Sequence, residues 1–283
     1  MKIASFLNQG IPSYGIVDGD QVLDLQSLKA ELGYDLKAAI THGLLGSLTP
    51  ERIAALPRLA QAEVTFLPVI PNPGKVLCIG INYATHVRET GREMPTYPMI
   101  FTRFADSQVA HLQAILRPKA SHKLDFEGEL AIVIGKKARH VKAENALDHV
   151  AGYTCYNDGS VRDWQKHTIQ FVPGKNFPQT GGFGPWLVTA DEIGDPQDLE
   201  LTTRLNGEVM QHTATSDMIF DVRKLIEYCS TFTELAPGDV IVSGTTGGVG
   251  AFREPPVWMK PGDVVEVEIS GLGILRNTIA DEI

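Results

Sequence analysis

The stretch Asp125-Phe126-Glu127-Gly128-Glu129-Leu130-Ala131-Ile132-Val133-Ile134-Gly135 carries most of the information in this chain. It opens on alternating carboxylates and closes on a strand-sized apolar run that ends at Gly135, which reads as a buried strand. Residues i and i+2 of a strand point to the same face, so Glu127 and Glu129 project together. Two adjacent carboxylates repel each other. Water relieves that cost at an exposed edge, which is the ordinary reading of a lone Glu-x-Glu, and a divalent cation relieves it in a partly buried site. The apolar continuation favours the buried case, and an oxygen-only donor set suits Mg²⁺, Mn²⁺ or Ca²⁺.

Two flanking segments supply further candidates. In Gly152-Tyr153-Thr154-Cys155-Tyr156-Asn157-Asp158-Gly159-Ser160-Val161-Arg162-Asp163-Trp164-Gln165 a strand ends at Asn157-Asp158, Gly159 turns, and Ser160 is placed to cap a helix. Asp158 could add a third carboxylate and Arg162 could face the same cleft, although Asn-Asp-Gly is also an ordinary turn. In Ile79-Gly80-Ile81-Asn82-Tyr83-Ala84-Thr85-His86-Val87-Arg88-Glu89 a buried strand runs into a short helix. His86 and Glu89, three apart, share a helical face. The carboxylate can fix the imidazole tautomer and leave the second nitrogen as a base, though a lone pair of this kind is commonly a surface feature.

The remainder frames these segments. Residues 2–24 read as short strands turning at Asn8-Gln9-Gly10 and Asp18-Gly19-Asp20, and residues 27–62 as two or three short helices, one started by Thr49-Pro50-Glu51. The proline-rich connector Leu67-Pro68-Val69-Ile70-Pro71-Asn72-Pro73-Gly74 suggests a boundary between a small N-terminal domain (1–70) and a larger one (71–283). Leu199–Thr213 reads as a hairpin turning at Asn206-Gly207, and the apolar stripe Val222, Leu225, Ile226, Cys229, Phe232 as an amphipathic helix. Strands and helices do not alternate regularly. The expectation is an α+β fold, with a large mixed, rolled sheet and a small N-terminal α+β domain.

Composition narrows the function classes. The 283 residues are 43% hydrophobic and 21% charged, as in a folded globular protein. Asp and Glu number 34 against 25 Lys and Arg, a net charge of -9 without basic clusters, which argues against nucleic acid or an anionic membrane as partner. An anionic ligand would need a bound cation or a few focused basic residues. Cys78, Cys155 and Cys229 lack metal or disulfide spacing, and no export signal or membrane-length apolar run is visible, so a cytoplasmic location is expected.

From Lys75 onward the chain resembles the fumarylacetoacetate hydrolase superfamily, in its acylpyruvate hydrolase branch. The phrases that carry the resemblance are Gly80-Ile81-Asn82-Tyr83-Ala84-Thr85-His86, Asp125-Phe126-Glu127-Gly128-Glu129-Leu130-Ala131, the Tyr156–Gln165 run, Gly174-Lys175-Asn176-Phe177, Met218-Ile219-Phe220, Pro237-Gly238-Asp239-Val240-Ile241 and the Ser243–Gly250 loop. The resemblance implies metal ligation by Glu127, Glu129 and Asp158, a catalytic dyad of His86 and Glu89 on a lid helix, and an active-site Lys175. It also implies substrate contacts from Thr245, Arg162, Gln165 and Arg103, the last where many members carry lysine. A homodimer is implied as well.

The function so implied is a Mg²⁺-dependent C–C bond hydrolase of a 2,4-dioxo acid such as maleylpyruvate or fumarylpyruvate, with His86 activating water and Lys175 meeting the developing oxyanion. The alternative is decarboxylation or tautomerisation of a 2-oxo dicarboxylate such as oxaloacetate. Three departures stand out. Gly128 replaces a usual valine, read as harmless on the opposite face, while Asn176-Phe177-Pro178-Gln179 and Thr246 differ near the expected pocket. The loop Gly244-Thr245-Thr246-Gly247-Gly248-Val249-Gly250 fits neither GxGxxG nor GxxxxGK, so its N–H groups and Thr245 are expected to serve a carboxylate and not a nucleotide.

Overall fold

A computed structural model describes all residues, 1–283. The glutamate strand (Gly128–Ile134) is buried at every position, and its alternation feeds two different cores. Leu130, Ile132 and Ile134 join one cluster, and Ala131 and Val133 the other. A strand covered on both faces belongs at the centre of a sheet. It pairs antiparallel with the aspartate strand (Val150–Asp158) on one side and the threonine strand (Val240–Thr245) on the other. Beyond the threonine strand lie Val76–Gly80, paired in parallel, and Met99–Arg103. Beyond the aspartate strand lies Gly181–Thr189, which Lys2–Asn8 and the rest of the N-terminal meander extend. The result is one mixed twelve-stranded sheet.

The two faces are covered differently. On the first, the helix Val222–Phe232 buries Val222, Leu225, Ile226 and Cys229, and a five-stranded sheet contributes Leu201, Val267, Ile269 and Leu275. On the second, the short helices at Lys29–Leu32, Leu36–Thr41 and Pro50–Ala54 pack Leu32, Leu36, Ala39 and Ile40 toward the sheet. Thr49 accepts from Arg52 N with Pro50 in the first turn, and the hairpin Glu200–Leu205/Glu208–Ala214 turns at Asn206-Gly207. Strands 1–24 pair into the large sheet, so no gap in hydrogen bonding separates them from the rest. The fold is therefore α+β on a large mixed sheet. No helix is long and apolar enough to cross a membrane.

Three local expectations are corrected. The strand read over 124–135 is broken: Leu124–Asp125 pairs with Ser160–Val161 in a separate ladder, and the long strand begins at Gly128. Ser160 lies in that small ladder and donates to Asp158 O, so the helix Arg162–Gln165 starts without a side-chain cap. Gly128 is not a neutral change. A Cβ there would lie 2.0 Å from Thr203 Oγ1, a buried hydroxyl without a partner. Gly128→Val should therefore lower stability by at least the ~1–3 kcal/mol typical of overpacking. Thr203→Ala in the same chain should restore most of it. Thermal unfolding of the two variants checks this; an unchanged melting temperature for Gly128→Val would refute the close packing.

Candidate active site

Sheet register brings the acidic residues together. Gly128 lies opposite Asn157, and Asp158 N donates to Glu127 O (2.8 Å), which sets the last residue of the aspartate strand beside the residue that precedes the glutamate strand. Asn157 Oδ1 accepts from Glu127 N (2.9 Å) and secures the same corner. One oxygen from each of Glu127, Glu129 and Asp158 falls within 4.8 Å of the others, and all three residues are buried.

Three cations balance them. Lys175, 1% exposed, donates to Glu127 Oε2 (2.5 Å) and Asp158 Oδ2 (2.7 Å). Arg162 pairs Glu127 Oε1 through Nη1 (2.6 Å) and Asp125 Oδ2 through Nε (2.7 Å). Arg103 reaches Asp158 Oδ1 (2.6 Å), Gly159 O and Thr180 Oγ1. Burial opposes the charge on Lys175, but Asp158 and Glu127 outweigh it and keep the ammonium above the ordinary lysine range. In this arrangement Lys175 acts as a hydrogen-bond donor to both carboxylates. Burial would likewise raise Glu127, yet Arg162 and Lys175 hold its carboxyl down at about 2. Glu129 has no cationic partner and accepts only from Gly244 N (2.6 Å). Burial, then the charges of Asp158 and Glu127, pushes it well above the carboxylate range.

The histidine helix (Ala84–Thr90) is held from several directions. Ile81 leaves its strand at φ 57°, a left-handed conformation that a β-branched residue disfavours. Fully buried Asn82 anchors this turn by donating to Ser243 O (2.7 Å) and Phe220 O (3.0 Å) and accepting from Phe220 N (2.9 Å). At the helix start, Asp217 Oδ2 accepts from Thr85 N (3.0 Å) and Thr85 Oγ1 (2.7 Å), and Thr246 Oγ1 lies 2.8 Å from Thr85 Oγ1. Glu89 Oε2 lies 3.0 Å from His86 Nδ1, and Oε1 accepts from Gly248 N (2.8 Å). A carboxylate can only accept, so Nδ1 carries a proton, and it is the neutral imidazole that would offer Nε2 as a base.

These groups border a cavity of about 490 Å³. His86, Glu127, Glu129, Arg162, Gln165, Lys175 and Thr245 line it, with Ile79, Met99, Phe101, Phe171 and Phe252 as apolar wall. Arg103 does not. It stands behind Asp158, fully enclosed, so its place is structural support of a carboxylate and not contact with a ligand. Thr245 reaches the wall, but its hydroxyl already donates to Gly128 O (2.9 Å) and accepts from Gln211 Nε2 (2.8 Å). The loop's N–H groups do serve carboxylates, as expected, but the protein's own: Gly244 to Glu129, Gly248 to Glu89, Gly250 and Ala251 to Asp125.

Sequence reasoning missed Asp125, Gln211 and Asp217. Asp125 is the first residue of the decisive stretch, and Asp217 directly precedes the Met218-Ile219-Phe220 phrase, so position alone hinted at both. Gln211, on a hairpin distant in sequence, left no signal.

The donor set fits a divalent cation. Four buried carboxylates, Asp125 included, face three cations, and the carboxylate without a counter-charge, Glu129, belongs to the converging triad. Hard oxygen donors of this kind hold Mg²⁺, Mn²⁺ or Ca²⁺.

The clamp on the histidine helix is testable. Asp217→Ala removes the acceptor for two donors at the helix start and should accelerate amide exchange across 84–90 and lower kcat/KM roughly tenfold or more. Asp217→Asn keeps a side-chain oxygen and should recover part of both. Exchange rates equal to wild type in Asp217→Ala would show that the helix does not depend on this contact.

The fumarylacetoacetate (FAA) hydrolase C-terminal family model matches residues 75–280. The chain is 42% identical over 266 residues to the Bos taurus protein named oxaloacetate tautomerase FAHD2A, mitochondrial, covering 93% of this chain and 85% of that one. Among solved structures, a fumarylacetoacetate hydrolase from the psychrophile Exiguobacterium antarcticum superposes with a TM-score of 0.89 at 36% identity, each chain covered fully. Maleylpyruvate hydrolase from Sphingobium sp. SYK-6, solved in complex with manganese(II) ion and pyruvate, superposes with a TM-score of 0.83 at 26% identity, again over both whole chains. With the family model spanning the entire carboxylate, lysine and histidine constellation, this chain belongs to the fumarylacetoacetate hydrolase family.

Proposed function

We propose that this protein is a divalent-metal-dependent tautomerase of a 2-oxo dicarboxylate of the oxaloacetate kind. The observation that carries the reading is the cavity itself, which His86, with Nδ1 against Glu89, shares with Glu127, Glu129 and Lys175, and Lys175 ties Asp158 to that group from outside the lining. Keto and enol forms differ by one proton, held on C3 or on the 2-oxygen. Their interconversion needs a base at carbon and donors at oxygen, and no attacking water. The identity shared with the bovine tautomerase favours this chemistry over hydrolysis, the activity first expected from the sequence.

A divalent cation on Glu127, Glu129 and Asp158, with Mg²⁺ or Mn²⁺ as first choices, would act as Lewis acid toward the 2-oxo group and its neighbouring carboxylate. The chain's own groups do the rest. His86 Nε2 takes the proton from C3 and delivers it to the 2-oxygen in one direction and reverses both transfers in the other, while Glu89 keeps Nδ1 protonated and stabilises the imidazolium that forms in between. Lys175 has two of its three N–H donors committed to Glu127 and Asp158, which leaves the third for the oxygen on which charge develops. Ile79, Phe101, Phe171 and Phe252 keep the wall apolar, and low polarity strengthens each of these contacts.

The hydrolytic reading retains one supporting observation, the likeness to maleylpyruvate hydrolase. In that reading the same His86 activates water toward a C4 carbonyl. A homodimer is the proposed assembly. The three buried, unpaired cysteines suit a reducing compartment, the cytoplasm or the mitochondrial matrix.

Purified protein loaded with Mg²⁺ should convert enol-oxaloacetate to the keto form, followed by loss of enol absorbance, without release of pyruvate or CO₂. His86→Ala should lose ~10²–10⁴-fold of that activity. Release of pyruvate from an acylpyruvate at a higher kcat/KM than tautomerisation would instead assign the hydrolase, and CO₂ from oxaloacetate the decarboxylase.

A further inference from the structure

Four cations line the cavity: Arg92, Arg162, Lys166 and Lys175. Arg162 and Lys175 are each shared between two carboxylates of the inner end. Arg92 and Lys166 form no ion pair and no side-chain hydrogen bond, and both are exposed at the mouth. Their placement is tied to the reacting groups. Arg92 directly follows Gly91, the left-handed residue that ends the histidine helix, and its N donates to Val87 O. Lys166 ends the short helix that carries Arg162 and Gln165, and its N donates to Asp163 O. Two elements that build the inner end thus each present one uncompensated cation to the mouth of the same cavity.

In a chain with a net charge of -9, two such cations on one cavity form a local positive field where the global field is negative. Met99, Ile169 and Phe252, which also line the cavity and are exposed, bring no opposing charge. In the proposed function the inner end takes one carboxylate and the 2-oxo group of the substrate, so a cation at the mouth answers to a second anionic group.

We propose that Arg92 and Lys166 bind the distal carboxylate of the substrate and select 2-oxo dicarboxylates over 2-oxo monocarboxylates. This deepens the tautomerase reading and rests on it. The inner end would set the chemistry, common to any 2-oxo acid, and the mouth would set the substrate class.

The test uses oxaloacetate and its 4-ethyl ester, which share the reacting end and differ in the distal charge. Wild type should prefer the diacid, mainly through KM. In the Arg92→Gln/Lys166→Gln double variant the diacid-to-ester ratio of kcat/KM should fall roughly 10- to 100-fold, carried by KM with kcat little changed. Calorimetric binding of oxalate to the Mn²⁺-loaded double variant should match wild type, because oxalate occupies only the inner end. An unchanged diacid-to-ester ratio overturns the proposal, as does a loss of oxalate affinity equal to that of the diacid. If wild type turns over neither compound, the tautomerase reading fails, and calorimetry with the same two compounds decides the selectivity. A diacid preference erased in the double variant sustains the proposal, and equal affinities in wild type overturn it.

Discussion

The mutual repulsion of Glu127, Glu129 and Asp158 is the constraint on which the rest of the structure depends. One oxygen from each lies within 4.8 Å of the others, and all three residues are buried. At an effective dielectric of about 20, each ionised pair at that separation costs at least about 3 kcal/mol. No small domain carries three such terms unaided. Arg103, Arg162 and Lys175 are therefore buried beside them, and each is useful only because the sheet brings distant segments into register. Arg103 ends one strand, Arg162 follows the small ladder, and Lys175 sits on the Val172–Lys175 turn of helix. Glu129 alone is left to be neutralised by a proton or by a bound cation.

The loop from Gly244 to Ala251 joins this charge centre to the His86–Glu89 pair. Its N–H groups serve Glu129, Glu89 and Asp125 in turn, and Thr246 meets Thr85 at the start of the histidine helix. Asp125 passes the connection to Arg162, and Arg162 to Glu127. A displacement of this one loop would disturb the triad, the dyad and the aromatic wall at Phe252 together. That sharing explains why so many glycines are concentrated there. At Gly248, φ is +100° and a Cβ would lie 2.2 Å from Met210 O, so the turn that presents its N–H to Glu89 admits no side chain.

How much of this was legible in the sequence follows from how local each determinant is. Glu127 and Glu129 were visible because a strand has period two. His86 and Glu89 were visible because a helix places i and i+3 together. The amphipathic helix at Val222–Phe232 and the Asn206-Gly207 hairpin were equally local. The clustering of Asp158, Lys175 and the dyad came from motif resemblance, since sheet register is a long-range property. What failed did so for tertiary reasons. Arg103 looked like a ligand contact until Asp158 was found to claim it, and Gly128 proved tightly packed by Thr203 on a separate sheet, while Thr245 does reach the cavity with its hydroxyl also bonded to Gly128 and Gln211. The hydrolase expectation arose from motifs of the family as a whole, whereas the likeness that favours tautomerisation is an identity spread over most of the chain.

Removing Glu129's charge tests the central claim most directly, because no buried cation depends on it, whereas loss of Glu127 or Asp158 would strand Lys175 and a buried arginine. Titration of the purified chain with Mn²⁺, followed by the electron paramagnetic resonance signal of the free ion, should show one ion bound per wild-type chain and none at the same concentrations in Glu129→Gln, with melting temperature preserved. Wild-type stoichiometry and affinity in Glu129→Gln would contradict the assignment of this triad as the metal centre.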